Sequence, residues 1–333
     1  MTFLARFEHS LKQEKLIFPG GKIFVACSGG PDSVALFHLL ASLQKKWKFK
    51  LGLLHFNHQL RNWESDRDEH FVRRLAQRYR VPVVVGSQPV RAMAKREKFS
   101  IEEAARKARY DFFAKASKKY RISKVALAHT QDDQAETVLL RILQGTGLRG
   151  LEGIRPRIRI GAAVFVRPLL GFSKKEILGF LKINGMEHCR DTSNQSLRFV
   201  RNLIRIKLLP QLRRQFNPRI VETLARIPAI VRGENQLLGE LERFAWKRLV
   251  KRRLEKRLDL DRAAFLKFPR PLQFRVLEKG LKHLDEKSGM SFDAWQRIQP
   301  HLTRKRYRHS LPRDIDLLLT PLKVTLYKKQ AKA

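Results

Sequence analysis

The stretch Val25-Ala26-Cys27-Ser28-Gly29-Gly30-Pro31-Asp32-Ser33 decides the fold. It follows the apolar run 22–26, which predicts a buried strand, and it precedes the apolar run 34–40, which predicts a helix. At such a junction small residues let the backbone close around an anion, and the helix start supplies free N–H groups and partial positive charge. The alternative is an ordinary turn capped by Asp32 or Ser33. Because the stretch follows the first strand, we interpret it as a phosphate-binding loop.

The spacing of the loop excludes two common phosphate-binding motifs. A Walker A loop needs Gly-Lys-Ser/Thr, and no lysine follows Gly29-Gly30. The dinucleotide fingerprint fails because the two glycines are adjacent and no third glycine follows them. The remaining pattern, Ser-Gly-Gly-Pro-Asp-Ser over 28–33, resembles the pyrophosphate loop of the N-type ATP pyrophosphatases. Those enzymes cleave ATP between the α- and β-phosphates and adenylate a substrate.

Composition restricts the class of partner. The 333 residues include 70 Lys and Arg against 31 Asp and Glu, a formal net charge of +39. The excess extends over both the first 214 residues and the remainder, so a basic tail does not explain it. Such a charge attracts polyanions and makes nucleic acid the natural partner, although a generally basic surface is the simpler alternative. The length predicts two domains.

Cysteine content and hydropathy indicate the compartment. Cys27 and Cys189 are far apart in the sequence and have no metal-type spacing, which favours a reducing, cytoplasmic setting. No apolar run of 18 residues predicts a membrane span, and the charged N-terminus is untypical of a signal peptide. We therefore expect a soluble cytoplasmic protein without a membrane partner.

Strands and helices alternate along the first two thirds of the chain. Apolar runs predict further strands at 50–57, 81–85, 125–128 and 165–170, and amphipathic patterns predict helices at 2–17, 63–80 and 100–120. This alternation is typical of an α/β fold, a parallel sheet with helices on both faces. The second strand ends in a polar cluster where such sheets place binding groups. Its candidate residues are His55, Asn57, His58 and Arg61.

Three carboxylates follow the fourth strand and form a second landmark. After His129, the residues Asp132, Asp133 and Glu136 are spaced to lie on one flank of a helix start. Acids in a first turn can simply complement the helix dipole. Their place at the carboxyl end of a strand, where open α/β sheets bind ligands, favours a functional role.

Arginines occur at helical spacing in two later segments. Arg106 and Arg109 lie one turn apart in the helix predicted from Ser100, and Arg198, Arg201 and Arg205 form one basic stripe that faces solvent or phosphate. Asn217-Pro218 then breaks the pattern, and we place a domain boundary there, between 1–216 and 217–333. Long helices are predicted over 219–257, the helical pattern continues to about 300, and short strands such as 324–327 follow.

Taken together, five motifs in order resemble the tRNA(Ile)-lysidine synthase family over residues 20–214, in its compact form. They are residues 28–33, 54–61, 103–110, 128–137 and 201–205. The resemblance implies an N-type ATP pyrophosphatase fold, adenine nucleotide alpha hydrolase-like, followed by a smaller, mainly helical tRNA-binding domain. It also implies ATP-dependent ligation of L-lysine to C2 of the wobble cytidine, position 34, of the tRNA(Ile) with anticodon CAU. AMP and pyrophosphate are released, and decoding changes from AUG to AUA.

The resemblance also implies roles for individual residues. The loop Ser28, Gly29, Gly30, Pro31, Asp32 and Ser33 would hold the ATP phosphates, with Asp32 binding Mg²⁺. Asp133 and Glu136 would face lysine, and Arg109 and Arg205 would contact ATP or the adenylated intermediate. Asp32, Asp133, Arg109 and Arg205 thus form the predicted catalytic set. The other candidate substrate contacts are His55, Asn57, His58, Arg61, Arg106, His129, Asp132 and Arg201.

Three alternatives separate on sequence features. A tRNA thiolase of the same superfamily would use cysteines, and the chain has no Cys-x-x-Cys pair. A nonenzymatic RNA-binding protein would have no use for carboxylates beside an anion site. Amidation by ammonia is poorly motivated, since no glutaminase-like segment is seen and the basic C-terminal part would be idle. The oligomeric state stays open, with a homodimer as one option.

Overall fold

The computed structural model describes residues 1–59, 62–161, 163–189 and 200–329, apart from the side chains of Asn62 and Glu64. The chain divides into two units, Met1–Val231 and Arg232–Ala333. The predicted domain boundary at 216/217 lies 15 residues before the division after Val231. It coincides with a break between two helices, at Gln215 and Ile220. The following helix begins at Ile220, and its first turns pack through Val221 and Leu224 on the first unit, which moves the division into the helix.

A six-stranded sheet forms the centre of the first unit, with strand order β3-β2-β1-β4-β6-β5. The paired strands are parallel except for the edge strand β5, which is antiparallel to β6. The strands are β1 Lys22–Ala26, β2 Lys50–Asn57, β3 Val83–Ser87, β4 Lys124–Ala126, β5 Arg157–Ile160 and β6 Ala163–Val166.

Helices cover both faces of this sheet, as predicted. The cluster that contains Phe7, Phe37 and Ile177 packs α1, α2, α3 and α8 on one face, and Phe113 and Tyr110 of α5 pack on the other. The helices are α1 Phe3–Gln13, α2 Pro31–Trp47, α3 Asn62–Arg78, α4 Val90–Glu97, α5 Ile101–Tyr120, α6 Gln131–Leu143, α7 Leu148–Leu151, α8 Lys174–Ile183, α9 Val200–Leu203, α10 Leu209–Gln215 and α11 Ile220–Leu249. A π-helical segment, Ile204–Leu208, joins α9 to α10.

The predicted elements of the first unit are confirmed, with shifts at their ends. The first two strands match their predicted bounds, whereas the third begins at Val83 because Pro82 has no N–H group to donate to the ladder. The strand predicted over 165–170 is wrong at its end, since β6 stops at Val166 and a turn follows. The sequence does not predict the antiparallel strand β5, because its alternating arginines make it polar.

The second unit contains a five-stranded antiparallel sheet, order β7-β8-β11-β10-β9, with helices packed against it. The helix predicted over 219–257 is wrong beyond Leu249, because 250–261 form a hairpin. Leu258 and Leu260 alternate with polar residues and are buried with Leu326 of the paired strand, which favours a strand over a helix. The basic residues before them are compatible with a helix or a strand. The elements are β7 Val250–Leu254, β8 Arg257–Asp261, α12 Arg262–Lys267, α13 Arg270–Leu284, α14 Phe292–Ile298, β9 Tyr307–Leu311, β10 Ile315–Leu319 and β11 Lys323–Lys328.

Across the described residues, none of the helices has both the length and the apolar character needed to cross a membrane.

Candidate active site

Three helix starts meet at the carboxyl edge of the first unit's sheet. The helix α2 follows β1, α6 follows β4, and α8 follows the turn after β6. The N–H group of Gln131 donates to the carbonyl of Phe172 at 2.9 Å, and the N–H group of Lys174 donates to Asp132 Oδ2 at 2.8 Å. These two bonds tie the start of α8 to the start of α6, so that the partial positive ends of the helices point to one place.

The three helix starts differ in their capping. Thr130 and Ser173 each form a complete capping box, with Asp133 and Glu176 respectively. The N-cap of α2 is Gly30, which has no side chain and makes no capping hydrogen bond. The first N–H groups of α2 are therefore left for a ligand, as at an anion-binding helix start.

The loop before α2 is shaped by its own hydroxyl groups. Ser33 Oγ donates to the Gly30 carbonyl at 2.9 Å and accepts from the Ser28 N–H at 3.2 Å. Gly29 has φ +86°, a conformation that favours glycine. A Cβ at Gly29 would lie 3.2 Å from Cys189 Sγ, so the position also has little room for a side chain. The residues 28–33 thus form a rigid, narrow loop around the uncapped helix start.

Asp32 projects from the first turn of α2 with one oxygen unpaired. Its Oδ2 lies 3.7 Å from Lys174 Nζ, whereas Oδ1 is buried and has no hydrogen-bond partner in the part of the chain that the structure describes. Burial raises the pKa of Asp32, and Lys174 acts against that rise. A buried acceptor oxygen without a donor, beside an anion site, fits a cation ligand.

Asp133 and Glu136 are paired with arginines. Glu136 accepts from Arg201 Nε at 2.8 Å and from Arg205 Nε and Nη2 at 2.6 and 2.9 Å. Asp133 Oδ1 accepts from Arg201 Nη2 at 3.1 Å and from Arg205 Nη2 at 3.3 Å. The structure therefore brings these four predicted residues together in one ion cluster, which we call the carboxylate–arginine cluster.

The cluster is buried on its acidic side and partly open on its basic side. The Glu136 side chain is 1% exposed, against 31% and 30% for Arg201 and Arg205. Burial opposes the ionisation of Asp133, but the neighbouring His129, the guanidinium groups and the Thr130 N–H group hold the pKa of Asp133 below its usual value. The ion pairs of the cluster hold the π-helical segment that carries Arg205 against α6.

The polar cluster after β2 lies beside the loop. His55 Nδ1 is 2.9 Å from the Cys27 carbonyl, while its Nε2 is buried without a partner among the described residues. Asn57 binds Asp66 and Glu69 of α3, which is a structural role. Burial lowers the pKa of His58 to about 4, so this imidazole is neutral at neutral pH. Arg61 lies outside the described residues.

Arg109 and His129 are half-buried polar groups near the site. Burial lowers the pKa of Arg109, and neither a hydrogen bond nor a salt bridge holds its guanidinium within the described part of the chain. Burial also lowers the pKa of His129 to about 3, although the Asp133 carboxylate acts against this. Arg106, by contrast, is exposed, and its guanidinium stacks over the Tyr110 ring at 5.0 Å. Of the two arginines, Arg109 is the one available to an anion inside the site.

Comparisons with known proteins agree with this architecture. A family model described as a PP-loop domain matches residues 2–212. The tRNA(Ile)-lysidine synthase of Thermosynechococcus vestitus is 34% identical over 301 residues, which are 90% of this chain and 83% of that protein. The chain belongs to the tRNA(Ile)-lysidine synthase family. The tRNA(Ile)-lysidine synthase of Symbiobacterium thermophilum is 35% identical over 290 residues, which are 85% of this chain.

Length separates this family member from several of its relatives. The chain spans 60% of the Symbiobacterium thermophilum protein and 48% of a Geobacter sulfurreducens relative that is 42% identical. Among solved structures, the U34-tRNA thiolase NcsA from Methanococcus maripaludis superposes with a TM-score of 0.57. It shares 15% identity over 71% of this chain and 80% of the thiolase chain, so the likeness concerns the fold alone.

Three side-chain contacts around the candidate site are not predicted by the sequence patterns. Lys174 reaches the site from α8. Gln134 binds both the N–H and the carbonyl of Ile154 and so fastens the segment after α7 to α6, and Arg167 donates to the Arg155 carbonyl. Only the capping pattern at Ser173 signals the first of them, because it marks a helix start beside the sheet edge. Each contact joins distant parts of the sequence, which periodicity does not reveal.

A basic cavity at the opposite edge of the sheet has a structural explanation. It has a volume of about 610 Å³, and its lining includes Lys22, Lys50, Arg80 and Arg121. Lys22 Nζ donates to the Tyr120 carbonyl at 3.2 Å, at the end of α5. Cations are expected where helix C-termini leave unpaired carbonyl groups, so we assign this cavity to helix capping.

Proposed function

We propose that the protein is an ATP-dependent ligase that adenylates the wobble cytidine of a CAU-anticodon tRNA(Ile) and joins L-lysine to its C2. The observation that carries the proposal is the combination of an uncapped helix start behind a rigid glycine loop with a buried, unpaired Asp32 oxygen. This arrangement suits a phosphate together with a cation. Membership of the tRNA(Ile)-lysidine synthase family supports the choice of substrates.

In the first step the C2 oxygen of the cytidine attacks the α-phosphorus of ATP. A bond from this oxygen to phosphorus forms, the bond to the bridging oxygen breaks, and its electron pair leaves with pyrophosphate. The N–H groups at the start of α2 and the Arg109 guanidinium would stabilise the charge on the phosphates. The neutral His55 and His58 would lie beside the reacting nucleotides without adding charge.

Asp32 would bind Mg²⁺ in this step. Its Oδ1 supplies the free, buried carboxylate oxygen that a hard cation needs, and Mg²⁺ is usually held by one or two carboxylates together with substrate phosphates. Among the described residues, no group of three or more Asp, Glu, His or Cys side chains is arranged to hold a metal ion by itself. When bound, the cation neutralises phosphate charge.

In the second step the ε-amine of lysine attacks C2 of the adenylated base. A carbon–nitrogen bond forms, the carbon–oxygen bond breaks, AMP leaves with the electron pair, and the amine would pass a proton to one of the site's carboxylates. Asp133 and Glu136 are the acceptors we assign to lysine, and its ammonium group would replace one guanidinium contact of the carboxylate–arginine cluster. Arg205 would then face AMP.

We place the tRNA phosphates on basic groups of the second unit. The β7–β8 hairpin carries Lys251, Arg252, Arg253, Lys256 and Arg257, and Glu255 is the acid between them. Lys251 and Arg257 are engaged by Asp261 and Asp259, whereas Arg252 and Lys256 are exposed. Exposed cations on an edge strand also prevent aggregation, so the tRNA role needs its own test.

The thiolase alternative is disfavoured by the state of the cysteines. Burial and the neighbouring Asp68 raise the pKa of Cys189 to about 12, and burial raises the pKa of Cys27. Both thiols are therefore protonated at neutral pH, when a sulfur nucleophile or cluster ligand needs the thiolate. With two cysteines in the whole sequence, a four-thiolate cluster has too few ligands.

The test follows the nucleotide and the label. The purified chain is incubated with α-labelled ATP, labelled lysine and a CAU-anticodon tRNA transcript, with a CAU-anticodon tRNA(Met) transcript as control. We expect AMP and pyrophosphate as products and lysine label in tRNA(Ile). ADP as the main product, or label that enters neither transcript, contradicts the proposal.

A further inference from the structure

Lys174 is the cation of the site that takes no part in the two chemical steps proposed for it. It is the first residue of α8, far in sequence from the phosphate loop, and its Nζ lies 3.7 Å from Asp32 Oδ2. At that distance the two form an ion pair without a hydrogen bond. The three N–H donors of the ammonium group are thus free of hydrogen-bond partners throughout the described ranges.

The backbone of Lys174 is held firmly while its side chain is partly open. Its N–H group donates to Asp132 Oδ2 at 2.8 Å, and the preceding Ser173 is fixed by its capping box with Glu176. The Lys174 side chain is 41% exposed, so it can turn toward a ligand. A fixed Cα with a partly exposed ammonium group on a flexible stem suits a residue that binds a phosphate.

Apart from Arg109, the other arginines described at this site are already committed to carboxylates. Arg201 and Arg205 bind Asp133 and Glu136, and the phosphate loop itself contains no lysine. The carboxylates Asp32, Asp132 and Asp133 oppose the binding of a polyphosphate at this edge of the sheet. A loop of this type therefore needs a positive charge from another element.

We propose that Lys174 binds the β- and γ-phosphates of ATP and stabilises the departing pyrophosphate. In a Walker A loop, a lysine of the loop itself reaches the β- and γ-phosphates, and here Lys174 would reach them from the start of α8. The inference rests on the proposed function in taking ATP as the substrate. Asp32 holds the ammonium group at the edge of the loop, and the phosphate oxygens then supply the acceptors that its three donors lack.

A purely structural ion pair is the competing explanation. Exposed pairs of this length contribute little to stability, so the loss of Lys174 would then change neither folding nor phosphate binding strongly. The adjacent Lys175 is a matched control, because it is exposed, lies in the same helical turn and has no polar contact with other described residues. Pyrophosphate and AMP separate the two halves of the ATP site.

The experiment measures the affinity of Mg²⁺-pyrophosphate and of AMP for the full chain by calorimetry. The variants are Lys174→Gln, Lys174→Arg and Lys175→Gln. We expect Lys174→Gln to weaken pyrophosphate binding by about tenfold to a hundredfold, since losing a hydrogen bond to a charged group changes affinity by about that factor. AMP affinity should stay unchanged, Lys174→Arg should keep most of the affinity, and Lys175→Gln should match wild type.

Equal pyrophosphate affinity in Lys174→Gln and wild type overturns the inference, as does an equal loss for AMP or in Lys175→Gln. A wild-type chain that binds no pyrophosphate overturns it as well. The outcome is independent of lysidine formation. A chain that binds pyrophosphate through Lys174 but transfers no lysine refutes the proposed function alone, and a chain that makes lysidine with unaltered pyrophosphate binding in Lys174→Gln refutes this inference alone.

Discussion

Replacing Glu136 by glutamine tests the carboxylate–arginine cluster directly. Glu136 is 1% exposed and accepts three hydrogen bonds, one from Arg201 and two from Arg205. Glutamine keeps the shape but removes the charge, and its NH₂ group faces a guanidinium that can only donate. One of the guanidinium groups thus loses a Glu136 acceptor, and both are less fully neutralised, although Asp133 still accepts from each.

The structure sets the size of the effect. Removing one partner of a buried pair costs about 3–5 kcal/mol, because it leaves the other charge uncompensated. Here the two arginines are 31% and 30% exposed, so water recovers part of that loss. We therefore expect the free energy of unfolding to fall by about 2–3 kcal/mol. For a domain of this size each kcal/mol lowers the unfolding midpoint by about 2–4 °C.

Chemical and thermal unfolding, followed by circular dichroism, measure this change. The controls are Arg205→Met and the double variant, because residues in direct contact should show a coupling energy of about 1 kcal/mol or more. If lysine binds these carboxylates, added lysine should raise the midpoint of wild type and not of Glu136→Gln. A Glu136→Gln midpoint equal to wild type would refute the reasoning about the cluster.

Three further predictions concern other parts of the chain. Burial lowers the pKa of His38 to about 4 from 6.5, so the unfolded chain binds more protons than the folded chain between these pH values. The contribution of His38 to the free energy of unfolding should therefore be complete above about pH 6.5 and decline toward pH 4. Urea unfolding at different pH values should show a less steep decline for His38→Gln. Replacing Arg252 and Lys256 by serine should reduce the salt slope of tRNA binding by about one for each phosphate that is no longer neutralised, in filter-binding assays, with ATP affinity unchanged. Cys189→Ser should keep most of the lysine-ligation rate in radiolabel assays, since burial and Asp68 keep the thiol protonated, and loss of all ligation would contradict this reasoning.

Local patterns are sufficient for much of the first unit. The strand bounds 22–26 and 50–57, the glycine loop and the capping box at Ser100 all follow from contacts between near neighbours in sequence. The hairpin at 250–261 does not follow from them. Its first strand carries basic residues on both faces, so neither the helical nor the strand periodicity of apolar residues is visible. The packing of Leu258 and Leu260 with Leu326 determines that this segment forms a hairpin.

The candidate site shows the same division between local and distant contacts. Spacing correctly puts Asp132, Asp133 and Glu136 near one helix start. Of the predicted arginine stripe, Arg201 and Arg205 bind the same two carboxylates, and Arg198 lies outside the described residues. It cannot show that Arg201 and Arg205 turn toward the acids, because that depends on how the chain returns after residue 200. It cannot supply Lys174 either, since that residue comes from a helix that follows β6.

The carboxylates of the site are not equivalent, and their partners show which of them is free for chemistry. Asp132 caps the start of α8, and Asp133 caps its own helix while it binds arginine. The simple structural explanation of acids in a first turn is therefore true for these two, whatever else they do. Asp32 differs, because one of its oxygens is buried and unpaired within the described residues and the other faces the partly exposed Lys174 ammonium group. On the proposed function, a cation bound with ATP would satisfy that oxygen, and the phosphates would give Lys174 the acceptors that it lacks.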